Sequence, residues 1–277
     1  MSSISVKKLN DIKVSRLQIP HVNIKETKGW KLFPEIYSNI YIVARKRSGK
    51  TNLVYNVIKK TTDKDTEIHI FCSTCLKDKA WIEIIKYLEK RGNIVHKHTS
   101  IVEDGVNLVE QFMMDNMESK SDVEEESESE EEVKFISIDD CEKEEKPTPV
   151  RKKRKKKYIS PEHCLIFDDL STELKDRHLN ALYKQNRHYK AKCISSSQNL
   201  NDLLPMSRKQ QDYWIIMKGM NINKLETIHK DADVSMDFKS FKKVYDYATK
   251  KPYSFLYIDT RTDTYRKNFD ELIQCDD

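Results

Sequence analysis

Glycine is scarce in this chain of 277 residues, with five in all against 50 basic and 45 acidic residues. So few glycines leave no room for Gly-rich linkers, and any glycine in a recognisable loop carries information. Long apolar runs are missing too. No stretch approaches the roughly 18 uncharged apolar residues of a membrane span, and no apolar segment follows Met1. The sequence therefore predicts neither a membrane-spanning nor a secreted chain. Six cysteines (Cys72, Cys75, Cys141, Cys164, Cys193 and Cys275) are scattered in mostly apolar surroundings. That spacing argues against a disulfide framework and suits reduced thiols. Hydrophobic residues make up 38% and charged ones 34%, a lean core for one large domain or two small ones.

Charge is unevenly placed. Between Glu118 and Lys146 there are fourteen acidic residues against four basic ones, and Arg151 to Lys157 is an unbroken basic run. Like charges at this density repel and bury too little surface to offset chain entropy. The segment 118–157 is thus expected to be a disordered, acidic-then-basic insertion. It divides the ordered chain into a first part, 30–117, and a second, 158–277, behind an N-terminal extension, 1–29. The basic run reads as a solvated run with no dedicated role, or as one of three functional devices: a nuclear import signal, a nucleic-acid contact or a counter-charge for the acidic stretch.

Outside the insertion, strand and helix patterns alternate. Apolar, β-branched runs predict strands at Asn39–Ala44, Glu67–Cys72, Asn93–Lys97, Cys164–Phe167, Lys192–Ser195, Tyr213–Met217 and Ser254–Ile258. Helical spacing marks Lys50–Lys60, Ala80–Lys90, Thr172–Asn186 (opened by Ser171) and Asp237–Lys250. This order predicts an α/β fold, a mostly parallel sheet with helices on both faces and a ligand site at the strands' carboxyl ends.

At the first strand-to-helix junction stands Ala44-Arg45-Lys46-Arg47-Ser48-Gly49-Lys50-Thr51, followed by Asn52. Here the glycine matters. Gly49 lets backbone N–H groups curl round an anion, and the helix that follows points its positive end at the phosphates. Lys50 then reaches the β- and γ-phosphates, and the Thr51 hydroxyl ligates Mg²⁺. Ala44 departs from the stricter pattern, which has Gly there. The three basic side chains 45–47 approach phosphate or DNA, or point to solvent. A second signal, Cys164-Leu165-Ile166-Phe167-Asp168-Asp169, ends a buried strand on two carboxylates. The first suits the Mg²⁺ shell and the second an attacking water. Asp168 and Asp169 alone do not make a two-metal nuclease, because the further carboxylates it needs are not evident. A third, Ser195-Ser196-Ser197-Gln198, puts an amide at a strand end, where Gln198 is a candidate γ-phosphate sensor. Arg187 and Arg208 are candidates for a transition-state arginine acting on a neighbouring subunit, or are plain surface residues. Cys72-Ser73-Thr74-Cys75 lacks a second pair at zinc spacing and reads as a packed strand end. Trp30, Trp81 and Trp214 read as core or interface.

Taken together, ARKRSGKT, CLIFDD, NRHYKAKCISSSQ and the closing SFLYIDTRTDTYRKNF resemble the genome-packaging ATPases of large DNA viruses and virophages. These belong to the FtsK–HerA superfamily and include the poxvirus-type enzyme. The resemblance runs from about Leu32 to Phe269, without the insertion. It implies a RecA/FtsK-like P-loop fold, a ring of identical subunits, ATP and Mg²⁺ as cofactors, and double-stranded DNA and capsid or vertex proteins as partners. It further implies nucleotide binding by Lys50 and Thr51, a Mg²⁺-shell role for Asp168, water activation by Asp169 and sensing by Gln198. The implied setting is a viral assembly site in the host cytoplasm, or the virion; the basic run leaves the nucleus open. Two other readings stand beside it. A P-loop nucleotide kinase would need an acceptor pocket and an arginine-bearing lid, and a nucleotide-binding assembly factor would need no motor activity.

Overall fold

The computed structural model describes residues 24–124 and 158–274. Its spine is a nine-stranded sheet. In chain order the elements are β1 Asn39–Val43, α1 Lys50–Thr61, β2 Glu67–Cys72, α2 Lys79–Arg91, β3 Val95–His98, β4 Val102–Glu103, β5 Val106–Asn107 and α3 Leu108–Glu124. Then follow β6 His163–Asp168, α4 Arg177–Gln185, β7 Ala191–Ser197, α5 Pro205–Arg208, β8 Tyr213–Met217, α6 Ile222–Asp231, α7 Phe238–Ala248, β9 Phe255–Asp259, β10 Thr264–Lys267 and β11 Glu271–Ile273. The sheet order is β11-β10-β9-β8-β1-β7-β6-β2-β3, and the six strands from β8 to β3 run parallel. β4 and β5 form a separate hairpin.

Strands buried on both faces need two cores. Ile40, Ile42, Ile68, Ile70, Ile166 and Ile194 face α1 and α2, which contribute Val54, Val57, Ile58, Trp81 and Leu88. The other face, with Tyr41, Val43, Phe71, Leu165 and Phe167, packs on α3, α4, α6 and α7. Local chemistry sets the helix ends. Asp78 caps α2 by accepting from the Ala80 N–H, and Gly92 closes it in the left-handed conformation at φ 97°.

The predicted strands and the mostly parallel sheet are present, with differences of physical origin. The strand expected at Asn93–Lys97 starts at Val95, because the Asn93 backbone N–H closes α2 on the Leu88 carbonyl while its side-chain amide donates to the carbonyls of Asp63 and Thr66. The helix expected at Thr172–Asn186 is interrupted. Ser171–Lys175 is a 3-10 turn, and the Asp176 carboxylate takes the His178 N–H and starts α4 afresh. β9 runs antiparallel to β8, because α6 and α7 lead the chain out and back to the edge it left. α3, α5, α6, the β4–β5 hairpin, β10 and β11 are not among the expected elements. Of the expected N-terminal extension, Thr27 bridges Ile159, which ties it to the second half of the chain. α3 continues to Glu124, inside the segment assigned to the insertion. The rest of that segment, with the basic run, lies outside the described residues.

Candidate functional site

Register brings the three motifs together. β1 lies between β7 and β8, with Val43 opposite Ser197 and Ile216. On the far side of β7, Asp168 stands opposite Ser196, and beyond it Cys72 stands opposite Asp168. The phosphate loop, the two acids and the Ser-Gln run therefore leave neighbouring strands at one edge of the sheet, where the chain's connections reverse direction.

The loop itself is built by Gly49, whose φ of 89° lies in the left-handed region. A Cβ there would meet the Tyr253 ring at 3.3 Å. Arg47 also has a positive φ, 63°. Ser48 donates from its hydroxyl to the Arg45 carbonyl at 2.6 Å, tightening the turn. Ala44 is fully buried and donates its N–H to the Ser197 carbonyl at 3.1 Å. It has no positive φ, so the departure from Gly introduces no strain. Arg45, Lys46 and Arg47 are exposed, with Arg45 lying across Gly219. Thr51 is half-buried on the first turn of α1 and Asn52 is exposed.

Lys50 is buried and its ammonium bridges both acids, 2.9 Å from Asp168 Oδ1 and 2.5 Å from Asp169 Oδ1. Burial alone would lower its pKa, but the two carboxylates outweigh that and raise it. Asp168 is buried and held on three sides. The Ser196 hydroxyl and Lys50 donate to Oδ1, and the Trp81 indole N–H donates to Oδ2 at 3.0 Å. Asp169 is more open, with a φ of 52° that turns it away from the strand. Burial pushes its carboxyl up, yet Lys50 and the Gln198 amide, at 3.1 Å, bring it below the usual carboxylate range. The Ser73 hydroxyl donates to the Asp169 carbonyl at 3.2 Å.

Lys50, Asp168, Asp169 and Gln198 thus converge; the two arginines do not. Arg208 is buried, paired to Asp231 at 2.6 Å, and donates to the carbonyls of Leu200 and Leu203. This corrects its reading as a surface or subunit-crossing arginine, because its donors are spent inside its own fold. Arg187 lies in the turn between α4 and β7, at the end of the strands opposite the phosphate loop, with its side chain 60% exposed and 4.0 Å from Asp212. It is free to face a neighbouring subunit but not its own phosphate loop. Two partners escaped sequence reading. Trp81 reads from sequence as core or interface, and Ser196 only as part of the run that ends in Gln198; the register of β6 on β7 reveals Ser196, and the packing of α2 on the sheet reveals Trp81. Cys72 and Cys75 are free, buried thiols, as the lone C-x-x-C suggested.

The donor set suits Mg²⁺ with a nucleotide. It pairs a hydroxyl at the helix start with a carboxylate fixed at a strand end, and both are hard oxygen ligands. No protein-family model matches the chain, and no curated protein resembles it in sequence. Solved structures do. The genome packaging NTPase B204 of Sulfolobus turreted icosahedral virus 2, in complex with AMPPCP, is 19% identical with a TM-score of 0.52 over 84% of this chain and 97% of that one. B204 described as the DNA-packaging ATPase from Sulfolobus turreted icosahedral virus is 18% identical, with a TM-score of 0.50 over 83% and 95%. The likeness shows a shared P-loop fold.

Proposed function

We propose that this chain is an ATP-hydrolysing motor that moves viral double-stranded DNA into a capsid. The observation that carries this reading is the Lys50 ammonium shared between Asp168 and Asp169 beside a left-handed Gly49 loop. The fold shared with a genome packaging NTPase supports it. In this reading the loop N–H groups and Lys50 hold the phosphates, and Gln198 positions the γ-phosphate against Asp169. Thr51, and Asp168 through water, would hold Mg²⁺, which would supply charge neutralisation at the phosphate oxygens. When Lys50 moves to the phosphates, Asp169 loses its strongest counter-charge. Its proton affinity rises at the moment a water must be deprotonated. The partners that follow are duplex DNA, capsid or vertex proteins and identical subunits in a ring, at a viral assembly site or in the virion. In this reading Arg187, whose side chain is exposed, is the arginine that acts across subunits.

The deciding test is ATP hydrolysis by the full chain with and without duplex DNA at low salt, beside Lys50→Ala and Asp169→Asn. DNA stimulation abolished by both substitutions is the expected result. A rate indifferent to DNA would count against translocation, and phosphoryl transfer to an added nucleoside would replace the motor with a kinase.

A further inference from the structure

Strand alternation gathers half of the chain's eight histidines on one patch of sheet, far from the phosphate loop. Along β2, Glu67, His69 and Phe71 project to one face. β3 places His96 opposite His69 and His98 opposite Phe71, and β6 places His163 opposite Glu67. α3 covers this face with Phe112, whose ring meets the edges of His69 and His163 at 5.1 and 5.2 Å. A cavity of about 440 Å³ lies between them. His163 and Asp168 stand at opposite ends of β6, roughly 16 Å apart along the strand at 3.3 Å per residue. The patch is therefore separate from the nucleotide site.

Among the described residues, Glu67, His69 and His163 are the one group of three whose ligand atoms lie within 4.8 Å of one another. Glu67 is the hub. Its Oε1 is 3.7 Å from His69 Nε2, and its Oε2 is 3.3 Å from His163 Nδ1. Ligands on a tetrahedral Zn²⁺ with bonds of about 2.0–2.1 Å sit roughly 3.3 Å apart. The side chains are thus already close to that separation. His69 Nε2 and His163 Nδ1 are both buried with no hydrogen-bond partner of adequate geometry. Orphaned polar atoms at this depth are uncommon and cost stability unless something satisfies them. Burial and the surrounding imidazoles push His69 down to about 3, and burial also lowers His163. A neutral imidazole has a lone pair available to a metal. His96 Nε2 lies 2.6 Å from Glu67 Oε1 and its ring stacks on His69 at 4.5 Å. Such an outer partner orients a ligating carboxylate.

We propose that Glu67, His69 and His163 form a Zn²⁺ site, oriented by His96, with its fourth position open to the cavity. Two imidazoles and a carboxylate match a borderline divalent ion better than Mg²⁺. The site joins β2 to β6 beneath α3, across the long segment that separates α3 from β6. Zn²⁺ there stabilises the native chain by mass action.

The test uses the full chain, stripped with chelator and titrated with Zn²⁺ by calorimetry in saturating Mg²⁺. One equivalent should bind and raise the unfolding temperature, and Co²⁺ in its place should show the visible bands of four-coordinate geometry. His69→Gln and His163→Gln should each weaken binding on the order of 100-fold, and the more exposed His96→Ala about 10-fold. His96→Ala keeps the test informative if the buried variants misfold. Absence of stoichiometric binding would overturn the proposal. So would binding that survives these substitutions and disappears in Cys72→Ser with Cys75→Ser.

Discussion

The Trp81 indole N–H donates to Asp168 Oδ2 at 3.0 Å, a contact between residues 87 positions apart. Both side chains are buried, so water cannot replace the bond. It fixes the carboxylate plane with Oδ1 turned toward Lys50 and Ser196.

Trp81→Phe keeps most of the ring volume and removes that donor. A lost hydrogen bond to a buried charge costs about 2 kcal/mol. Denaturant unfolding of Trp81→Phe, Asp168→Asn and the double variant should give a coupling of about 1 kcal/mol or more. Additive effects would mean that Trp81 acts only by packing. Hydrolysis should also fall, with kcat reduced more than KM rises, because the indole orients a group rather than binding substrate.

Lys50 and Asp169 should separate binding from chemistry. Lys50→Ala removes the cation shared by two acids, one of them buried, and should weaken nucleotide binding as well as hydrolysis. Asp169→Asn should leave nucleotide affinity within a few-fold and lower kcat on the order of 100-fold or more. Equilibrium binding of a non-hydrolysable nucleotide beside steady-state rates checks both. If Asp169→Asn lost binding and rate in parallel, Asp169 would be a structural counter-ion to Lys50.

How much of this could be read from the sequence follows from range. The phosphate loop, the Asp-Asp strand and the Ser-Gln run are local, and Gly49, Lys50, Asp169 and Gln198 take the places their motifs gave them. Ala44 looked like a defect, yet it is core that the neighbouring strand accommodates. Arg208 was misread because its partner Asp231 lies on α6, a helix that sequence reading passed over. Trp81 and Ser196 were missed for the same reason: their role depends on which strands are neighbours, and β6 lies beside β2 and β7 only through long crossovers. The histidine patch has no sequence motif at all. Its members come from three strands and meet only through register.

The two arginines predict opposite phenotypes. Arg208→Ala leaves Asp231 buried without its partner and should cost about 3–5 kcal/mol of stability. Arg187→Ala, half in solvent, should change stability by less than about 0.5 kcal/mol. If it acts on a neighbouring subunit, its loss should lower hydrolysis only under conditions where the protein assembles. Mixing Arg187→Ala with Lys50→Ala subunits would then restore part of the rate. No restoration, with assembly intact, would remove Arg187 from the site.

Lys192 provides a test by pH that is independent of the nucleotide site. It is fully buried in β7 and donates to the Glu35 carbonyl at 3.0 Å and the Ser38 hydroxyl at 2.7 Å. Burial lowers its pKa from 10.5 to about 8. A lysine lowered in the folded state costs stability in full below about pH 8. The cost is relieved between there and the unfolded value, where the unfolded chain binds more protons. The stability of the native protein relative to Lys192→Met should therefore rise by roughly 3 kcal/mol between about pH 8 and about pH 10.5. Taking the difference removes most of the cysteine and tyrosine titrations common to both proteins. Urea unfolding across that range decides it, and a flat difference would mean that Lys192 stays charged, with its two acceptors enough to hold an ammonium inside the sheet.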